Sequence, residues 1–582
     1  MTSLTVDRPT SRLRLPFSFR PFHWLVLVLV GLAIITPLTF LTLGSLSQAK
    51  LPGDFSLNNL TFANYAKVWL DPATYAVVLN TIIYVAGATV FAITLAAILA
   101  WLVERTDIPG KTWLYAGIPM TLAMPGMLQA MAYVLLLSPR IGFINKMIAP
   151  LGLGPINIYS LSGMIFLEGI RLVPSAFLVL VPLLRSMDPS LEEAAATAGA
   201  RPGATLRKIT LRLMVPGLLA VAIYQAMTAF EAFEIPGILG LPGNVYVFST
   251  RVYAIINSTD GIPNYGEANA LSIVYVIIGL MATMLYARVI AHSERYSIVT
   301  GKGYRPRTFD LGGLRWPVFG LVFLFLLFSI ILPFFVLLYI SFLPFVQQPS
   351  ADAFHMMSLS NYSDLWDGPR VSNMLRNTVL MVVAASTFTV IFSFVISSIV
   401  VRSKFSGRRI LDQLAFMPHA IPGIVMGIAF LWLFLQGRRI GIDLFGGIWS
   451  IAIAFTIGFM AYGTRSMNAA MLQIHKDLEE AAHVSGAPQW RTALRIVYPL
   501  MLPTIVGVWI WSMLQSIRQV GYPLLLTEGS NNEVLSVYVW RLWNEGQIGA
   551  VGAIGSVMII GLLLITSALR AFGFRRGAAI QK

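Results

Sequence analysis

Cysteine is absent from the 582 residues of this chain, and charged residues are scarce, at 12% of the total. Without cysteine the chain can hold no disulfide, no thiolate metal site and no cysteine nucleophile. The six histidines include no pair at ligand spacing on one helix, so the sequence predicts no metal site. No Ser/His/Asp or paired-carboxylate arrangement can be placed in an aqueous pocket. These absences point away from an enzyme.

A phosphate-binding loop is also missing. Neither Gly110-Lys111 nor Gly301-Lys302 is preceded, five positions before its glycine, by the second glycine that such a loop requires. The chain is therefore not expected to hydrolyse ATP. If ATP drives its function, a separate subunit must bind the nucleotide and Mg.

Hydrophobic residues make up 57% of the chain, and several runs of about 20 apolar residues are long enough to cross a bilayer as helices. We therefore predict an all-α polytopic membrane protein. Twelve membrane helices are expected near residues 24–43, 75–102, 114–137, 160–184, 214–235, 267–288, 316–342, 374–401, 411–435, 447–464, 501–520 and 547–570.

The distribution of basic residues predicts the orientation. Most of the 41 Lys and Arg residues fall in alternate connecting segments, which places both termini in the cytoplasm of a bacterial inner membrane. The net charge of +15 is then a topology signal and an affinity for anionic lipid, with no nucleic-acid partner implied. Residues 1–23 form a basic tail before a long apolar run without a clear cleavage site, which predicts a retained first helix.

The chain contains one unit twice. Matching residues lie first 297 and later 287 positions apart: Asn64-Tyr65 and Asn361-Tyr362, Asn80-Thr81 and Asn377-Thr378, Arg105 and Arg402, Pro125-Gly126 and Pro422-Gly423, then Glu193 and Glu480, Gly199 and Gly486, Pro216 and Pro503, Pro236 and Pro523, and Arg288 and Arg575. Six helices per unit make the copies parallel, related by an axis along the membrane normal. The predicted divisions are a tail at 1–23, repeats at 24–290 and 316–582, and a cytoplasmic linker at 291–315.

A polar segment recurs at equivalent positions of the two units. Glu192-Glu193-Ala194-Ala195 ends at Gly199, and Glu479-Glu480-Ala481-Ala482 ends at Gly486. Acidic residues, alanines and a final glycine predict a short helix with a glycine C-cap. One Glu-Ala-Ala stretch alone is ordinary helix composition. Two equivalent copies favour paired docking helices, within segments 188–212 and 475–499, on which another protein can approach the backbone closely.

At these residues the chain resembles the permease subunits of ATP-binding-cassette (ABC) importers. Their cytoplasmic pattern is Glu-Ala-Ala, three residues, Gly, nine residues, Ile, one residue, Leu-Pro. The two copies here read Glu193-Ala194-Ala195, Gly199, Ile209, Leu211, with Arg212 replacing proline, and Glu480-Ala481-Ala482, Gly486, Ile496, Tyr498, Pro499, with Tyr498 replacing leucine. The departures imply a slightly altered exit from each helix. The resemblance covers nearly the whole chain as two fused type I permease domains.

Polar residues inside membrane helices indicate a pathway, because each costs about 2.5 to 3.5 kcal/mol unless it is paired or hydrated. The 287-residue offset sets Tyr224, Thr228 and Glu231 opposite Trp511, Gln515 and Arg518, each triple on one helix face. We expect a substrate path or gate here, with Glu234 one turn on and a possible Glu231–Arg518 salt bridge. The alternative is that these residues end their helices and reach the interface. Glu168 and Arg171, spaced i, i+3, are expected to neutralise each other.

The resemblance implies the translocation subunit of an ATP-driven importer. Two copies of an ABC ATPase would dock on the cytoplasmic helices, and an extracytoplasmic solute-binding protein would deliver the cargo. The arrangement looks like that of ferric-iron permeases and their relatives for thiamine or aminoethylphosphonate; polyamines are a further candidate cargo. A secondary transporter driven by an ion gradient is the main alternative, but it would leave the paired cytoplasmic helices without a use. A channel or scaffold would leave the polar stripes unexplained as well.

Overall fold

The computed structural model describes residues 20–187, 190–200, 202–257, 262–293, 308–366, 369–475 and 477–580. Within these residues the chain is helical, and β structure is limited to three isolated bridges. The helices of the first half are α1 Arg20–Ser45, α2 Ala63–Leu70, α3 Pro72–Arg105, α4 Lys111–Met120, α5 Gly126–Leu137, α6 Phe143–Ile148, α7 Leu161–Ser186, α8 Ser190–Thr197, α9 Pro202–Thr205, α10 Leu211–Glu231, α11 Glu234–Leu239, α12 Phe248–Ile256 and α13 Tyr265–Ser293.

The second half repeats this order of long and short helices. Its helices are α14 Arg315–Leu326, α15 Leu332–Ser341, α16 Ala351–His355, α17 Ser360–Trp366, α18 Pro369–Ser397, α19 Arg408–Phe416, α20 Gly423–Arg439, α21 Ile448–Gln473, α22 Asp477–Val484, α23 Gln489–Thr492, α24 Tyr498–Arg518, α25 Gly521–Leu526, α26 Leu535–Asn544 and α27 Ile548–Ile580. The end of the molecule that carries α8 and α22 is called the coupling face below.

The long apolar helices agree with a multi-pass membrane protein. In the described residues, eight helices are long and apolar enough to cross a bilayer, and three further bent pairs bring the number to 11. The one predicted span not among these, near residues 447–464, corresponds to α21, which has 26 residues. The prediction of about twelve helices in two sets of six therefore agrees with the structure.

The third helix of each half is not the straight span that the sequence predicts. α4 and α5 meet at 92°, and α19 and α20 meet at 110°. The break comes where a short 3-10 turn runs into Pro125 or Pro422, which is the residue before each second helix and has extended backbone angles. Proline cannot donate to the preceding turn, so the apolar run continues while the helix axis does not. The fifth helices also begin and end a few residues earlier than predicted, ending at Glu231 and Arg518.

Equivalent contacts hold each half together. The Asn64 amide donates to the carbonyls of Ser45 and Ser47 at 3.0 and 2.7 Å. Asn361 makes the same pair of bonds, to Ser341 and Leu343 at 3.0 and 2.8 Å. Each amide joins the end of the first membrane helix to the connection that follows it, so the repeat seen in the sequence is a repeat of buried hydrogen bonds.

The pairing of Arg288 with Arg575 needs correction. Gly266 packs on Asn64, and Gly549 packs on Asn361 in the same way. The last helices begin correspondingly at Tyr265 and Ile548. The offset has therefore fallen from 287 to 283 before the last helix, because the loop that precedes it is longer in the first half. Sequence comparison missed this second change because no distinctive residue follows the loop in both copies.

The halves interlock through their first helices. α1 packs on α20 of the second half, and α15 packs on α5 of the first. At the second contact, the Tyr133 hydroxyl and the Gln129 amide donate to the carbonyls of Phe328 and Ser329 at 2.7 and 3.3 Å. Both carbonyls belong to the π-helical segment Leu327–Ile331 between α14 and α15. A π segment shifts the usual backbone partners, and residues from the other half use the freed oxygens.

The linker between the halves joins the first half at the coupling face. The backbone N–H of Phe309 donates to the Arg105 carbonyl at 2.7 Å, and the N–H of Asp107 donates to the Phe309 carbonyl at 3.1 Å. Residues 294–307 of the predicted linker lie outside the described part. Just after this junction, the Gly312 backbone N–H and the Arg315 guanidinium lower the pKa of the Asp310 carboxyl.

Candidate functional sites: a coupling face and a central cavity

The two polar segments form the helices that the sequence predicts. α8 is followed by Gly199 at φ 79° and α22 by Gly486 at φ 82°, in the left-handed region that glycine tolerates best. The N–H of Ala200 bonds to the Ala195 carbonyl, and the N–H of Ala487 to the Ala482 carbonyl, at 2.9 and 3.0 Å. This is the hydrogen-bonded glycine C-cap expected from the pattern. The prediction of a short helix ended by glycine is confirmed in both halves.

A π-helical segment connects each of these helices to the fifth membrane helix. It spans Leu206–Thr210 in the first half and Ala493–Val497 in the second, at the 287-residue offset. Ile209 and Ile496 of the resembling pattern lie inside these segments. The altered residues Arg212 and Tyr498 follow directly, and the helix continues through both. The departures from the pattern therefore leave the helical exit intact.

The two glutamates of each segment have different surroundings. Glu480 is exposed, and Ala194, Ala481, Gly199 and Gly486 are exposed beside it, with Ala195 and Ala482 partly covered. The side chain of Glu193 is outside the described part of the structure. Glu192 is buried and Glu479 is partly buried. Successive residues of a helix point about 100° apart, so one glutamate faces outward while its neighbour faces the protein. Glu192 and Glu479 therefore face the protein, and the role in ATPase coupling predicted for them stays a prediction.

A cavity of about 1220 Å³ lies between the two halves. Its wall includes all seven residues predicted for a path or gate: Tyr224, Thr228, Glu231, Glu234, Trp511, Gln515 and Arg518. It reaches from Gly217 near the start of α10 to Glu234 beyond its end, which corresponds to roughly 20 Å of helix. The broken helices α5 and α20 add their first residues, Gly126 and Gly423, to the wall. Interrupted helices at a repeat interface are a usual way to line a transport site.

Aromatic side chains pack together at the end of the cavity farthest from the coupling face. Phe233 lines the cavity, and its ring lies 5.4 Å from the ring of Trp540. The ring of Trp540 also lies 6.0 Å from that of Tyr253, its counterpart in the first half. Phe233 and Trp540 are buried. The two halves therefore contact each other through aromatic rings at this end of the cavity.

The predicted salt bridge between Glu231 and Arg518 is not formed. Both side chains are described, and they are not within ion-pairing distance. The Glu231 carboxylate lies 3.9 Å from Nδ1 of His419 in the second half, and an Arg518 nitrogen lies 3.5 Å from the Met124 carbonyl. The reason is that both residues end their helices, so the chain turns away before the side chains meet. Glu234 crosses the interface instead, accepting a bond from the Val520 N–H at 3.4 Å.

Two other charged residues of the cavity wall, Arg171 and Arg465, already have carboxylate partners. Arg171 pairs with Glu168, as the i, i+3 spacing predicts, with Nε 3.0 Å from the carboxylate. Arg465 pairs with Asp412 at 3.2 Å. Among the described residues Glu231 has no Lys or Arg partner within 4.0 Å, so its counterpart is the His419 imidazole. No group of three or more His, Asp or Glu in the described residues is placed to hold a metal ion.

His419 and Tyr462 are two lining residues that sequence reasoning missed and that contact the predicted ones. The His419 ring stacks on Tyr224 at 5.8 Å, and the Tyr462 ring stacks on Trp511 at 3.8 Å. Both come from the second half. A signal for His419 was present, because it is a lone histidine just before the Pro422-Gly423 break. Tyr462 carries no signal beyond its place in an apolar helix.

Comparison with known proteins agrees with this architecture. Residues 390–576 match the family of binding-protein-dependent transport system inner membrane components. The ferric transport system permease protein FbpB of Actinobacillus pleuropneumoniae is 25% identical over 491 residues, which cover 82% of this chain and 68% of that protein. The probable ABC transporter permease protein y4fN of Sinorhizobium fredii is 26% identical, covering 84% and 85%.

A shorter relative aligns with only part of the chain. The sulfate transport system permease protein CysT of Escherichia coli is 24% identical over 239 residues, covering 84% of its own length but 38% of this chain. This is the result expected when one chain holds two permease units. The crystal structure of a bacterial ABC transporter that imports alginate aligns with a TM-score of 0.36 and 18% identity, covering 45% of this chain and 96% of that one.

The family match of residues 390–576, the multi-pass helices and the permease relatives together indicate an inner-membrane permease subunit of the ABC-importer class. Within that class it is a fused double permease of an ABC importer, with relatives among the ferric and sulfate transport permeases. It is a transport subunit and not the enzyme of the system. A secondary transporter is set aside.

Proposed function

We propose that this single chain supplies both permease halves of an importer for ferric iron. Two ATPase subunits, which bind ATP and Mg, dock on α8 and α22, and the coupling face lies in the cytoplasm together with both termini. The observation that carries this proposal is the duplicated coupling segment, in which helix, left-handed glycine, short helix and π segment recur at one offset. A single ATPase dimer has two such contacts to make.

The central cavity is the proposed cargo path. The aromatic contact of Phe233, Tyr253 and Trp540 at its far end is the proposed outer gate, so that cargo leaves toward the coupling face. Glu231 and Glu234 are cavity carboxylates that moving cargo would meet without first displacing a guanidinium, since neither has a Lys or Arg partner within 4.0 Å among the described residues. An unpaired carboxylate beside an imidazole and tyrosine hydroxyls favours a cation over an anion such as sulfate, because carboxylate and phenolate oxygens suit a hard cation. Ferric iron is also the cargo named for the FbpB relatives.

The test is reconstitution of the chain in proteoliposomes with its ATPase and binding protein. Iron uptake and cargo-stimulated ATP hydrolysis are measured for the wild type and for the double variant Glu193→Lys/Glu480→Lys. Reversing both charges should abolish stimulation and uptake while leaving membrane insertion intact. The matched control is Glu193→Asp/Glu480→Asp, which keeps both charges and should retain activity. Wild-type uptake by the Lys variant would refute the coupling assignment, and uptake of sulfate instead of iron would refute the cargo.

A further inference from the structure

Arg105 is the last residue of α3 and joins three elements of the first half. One of its terminal nitrogens donates to the Leu184 carbonyl at 3.1 Å, near the end of α7. Its Nε lies 3.7 Å from the carboxylate of Glu192 on α8. The last carbonyls of a helix lack intrahelical partners and carry partial negative charge, so a guanidinium is well suited to this position. The same side chain therefore caps one membrane helix and holds the coupling helix.

Arg402 makes the same connections in the second half. It donates to the carbonyls of Met471 and Ile474 at the end of α21, at 2.9 and 3.0 Å. Its Nε lies 2.9 Å from the carboxylate of Glu479 on α22. The arginines are 297 positions apart and the glutamates 287, which are the repeat offsets of their segments. Recurrence of the whole arrangement is evidence that it belongs to the function of the repeat and not to chance packing.

The two connections differ in burial. The Arg105 and Glu192 side chains are 0% and 3% exposed, whereas those of Arg402 and Glu479 are 14% and 20% exposed. Glu192 also accepts a hydrogen bond from the Thr210 hydroxyl at 2.9 Å, and position 497 of the second half offers only a valine there. The Arg105 backbone is further fixed by the linker through the Phe309 N–H. The first connection is thus enclosed on all sides, and the second is open to water.

We propose that Arg105 and Arg402 are positioning residues through which the coupling helices act on the second and fourth membrane helices of each half. The enclosed Arg105–Glu192 pair is a fixed anchor, and the open Arg402–Glu479 pair is the contact that yields during the transport cycle. This proposal rests on the proposed function, since it concerns how movement of a docked ATPase reaches the cavity. The two arginines would pass movement of the coupling helices to α3, α7, α18 and α21. This connection adds to the direct one, which runs through the π segment of each half to the fifth membrane helix.

The main test measures ATP hydrolysed per cargo imported in purified, reconstituted complexes. Arg402→Gln should leave ATPase docking and hydrolysis in place but raise this ratio about fivefold, a size typical of residues that carry coupling between sites. Arg402→Lys keeps the charge and should recover part of the coupling. A destabilised but otherwise normal permease would lose uptake and stimulated hydrolysis together, leaving the ratio unchanged. Arg409→Gln, at an exposed position outside both coupling segments, is the matched control and should leave the ratio at the wild-type value.

Arg105→Gln should act on folding before it acts on coupling. It leaves the Glu192 carboxylate buried and unpaired, which is costlier than removing both charges. The yield of folded chain should fall, and Arg105→Gln/Glu192→Gln should restore part of it. Equal yields for the single and double variants would refute the anchor. An Arg402→Gln variant that lowers yield as much as Arg105→Gln would refute the difference between the halves.

A distance measurement tests the second contact without any activity. Because the chain has no native cysteine, spin labels can be placed at the exposed positions Leu472, near the end of α21, and Val484, at the end of α22. The distance distribution should be narrow in the wild type and broad in Arg402→Gln. An unchanged distribution, together with an unchanged ATP-to-cargo ratio in complexes whose wild type couples, would refute the connection and leave the proposed function standing. Failure of the wild type to couple would refute the proposed function itself.

Discussion

In the first half Asn64 bridges two carbonyls at the end of α1, and in the second half Asn361 bridges the matching two at the end of α15. At the cavity the residues of the two halves differ. Glu231 and Glu234 of the first half correspond to Arg518 and Gly521 of the second, and all four line the cavity. The contacts that build each half have been kept in both copies, while the residues facing the path differ. The path is therefore a single asymmetric site between two halves of similar architecture.

The largest predicted effect concerns the asparagine hydrogen bonds that both halves share. Asn64→Ala removes a donor from two carbonyls in a buried site and should destabilise the chain by about 1–3 kcal/mol. Asn361→Ala should cost a similar amount, because its hydrogen bonds have nearly the same lengths. The measurement is thermal unfolding of the purified chain in detergent, with exposed Asn257→Ala as the control. A normal melting temperature for either variant would contradict the conclusion that these hydrogen bonds stabilise both halves equally.

A second prediction concerns the residues in which the halves differ. Glu231→Gln and Arg518→Gln should each lower uptake on the order of tenfold, equivalent to about 1.4 kcal/mol, with little change in melting temperature. Since the two side chains do not pair in this structure, their effects should add within about 0.3–0.5 kcal/mol in a double-mutant cycle. His419→Gln should couple to Glu231→Gln, whose carboxylate it faces. Strong coupling between Glu231 and Arg518 would show that they pair during the cycle.

Particular residues show which features of the structure could be predicted from the sequence and which could not. Glycine caps at Gly199 and Gly486 follow from local chemistry, and the structure has both. The helix breaks at Pro125 and Pro422 were not predicted, because the apolar run continues through them and the change of direction depends on packing. The partner of Glu192 was not predicted either, since Arg105 is distant in the chain. The only signal for it was an arginine ending the second membrane helix of both repeats.

The cavity shows the same limit. The two i, i+4, i+7 stripes correctly placed six residues on the cavity wall, because helix periodicity decides which side chains share a face. Whether opposite charges then meet depends on where each helix ends, and both helices end at the charged residue itself. The expected Glu231–Arg518 contact therefore failed although the positions were right. His419 lies in the short 3-10 turn between α19 and α20, where α-helical periodicity gives no guidance.

The smallest expected effect is that of labelling substitutions at the two faces. Thr308→Cys and Asn257→Cys are both at exposed positions and should leave transport unchanged. In intact cells a membrane-impermeant thiol reagent should label the cysteine at 257 and spare the one at 308, because basic residues favour the cytoplasmic side. Permeabilised cells, in which both should react, are the control. The reverse pattern would place the coupling face outside the cell and overturn the orientation.

The most direct test of two permease halves in one chain is the subunit ratio of the assembled transporter, measured by native mass spectrometry of the complex with its ATPase. One chain with two ATPase subunits is the predicted composition. Glu480→Lys, which alters the exposed acid of α22 alone, should weaken one of the two contacts and give a population with a single ATPase subunit. A complex containing two copies of this chain with two ATPase subunits would contradict the account, because each copy would then use only one of its coupling helices.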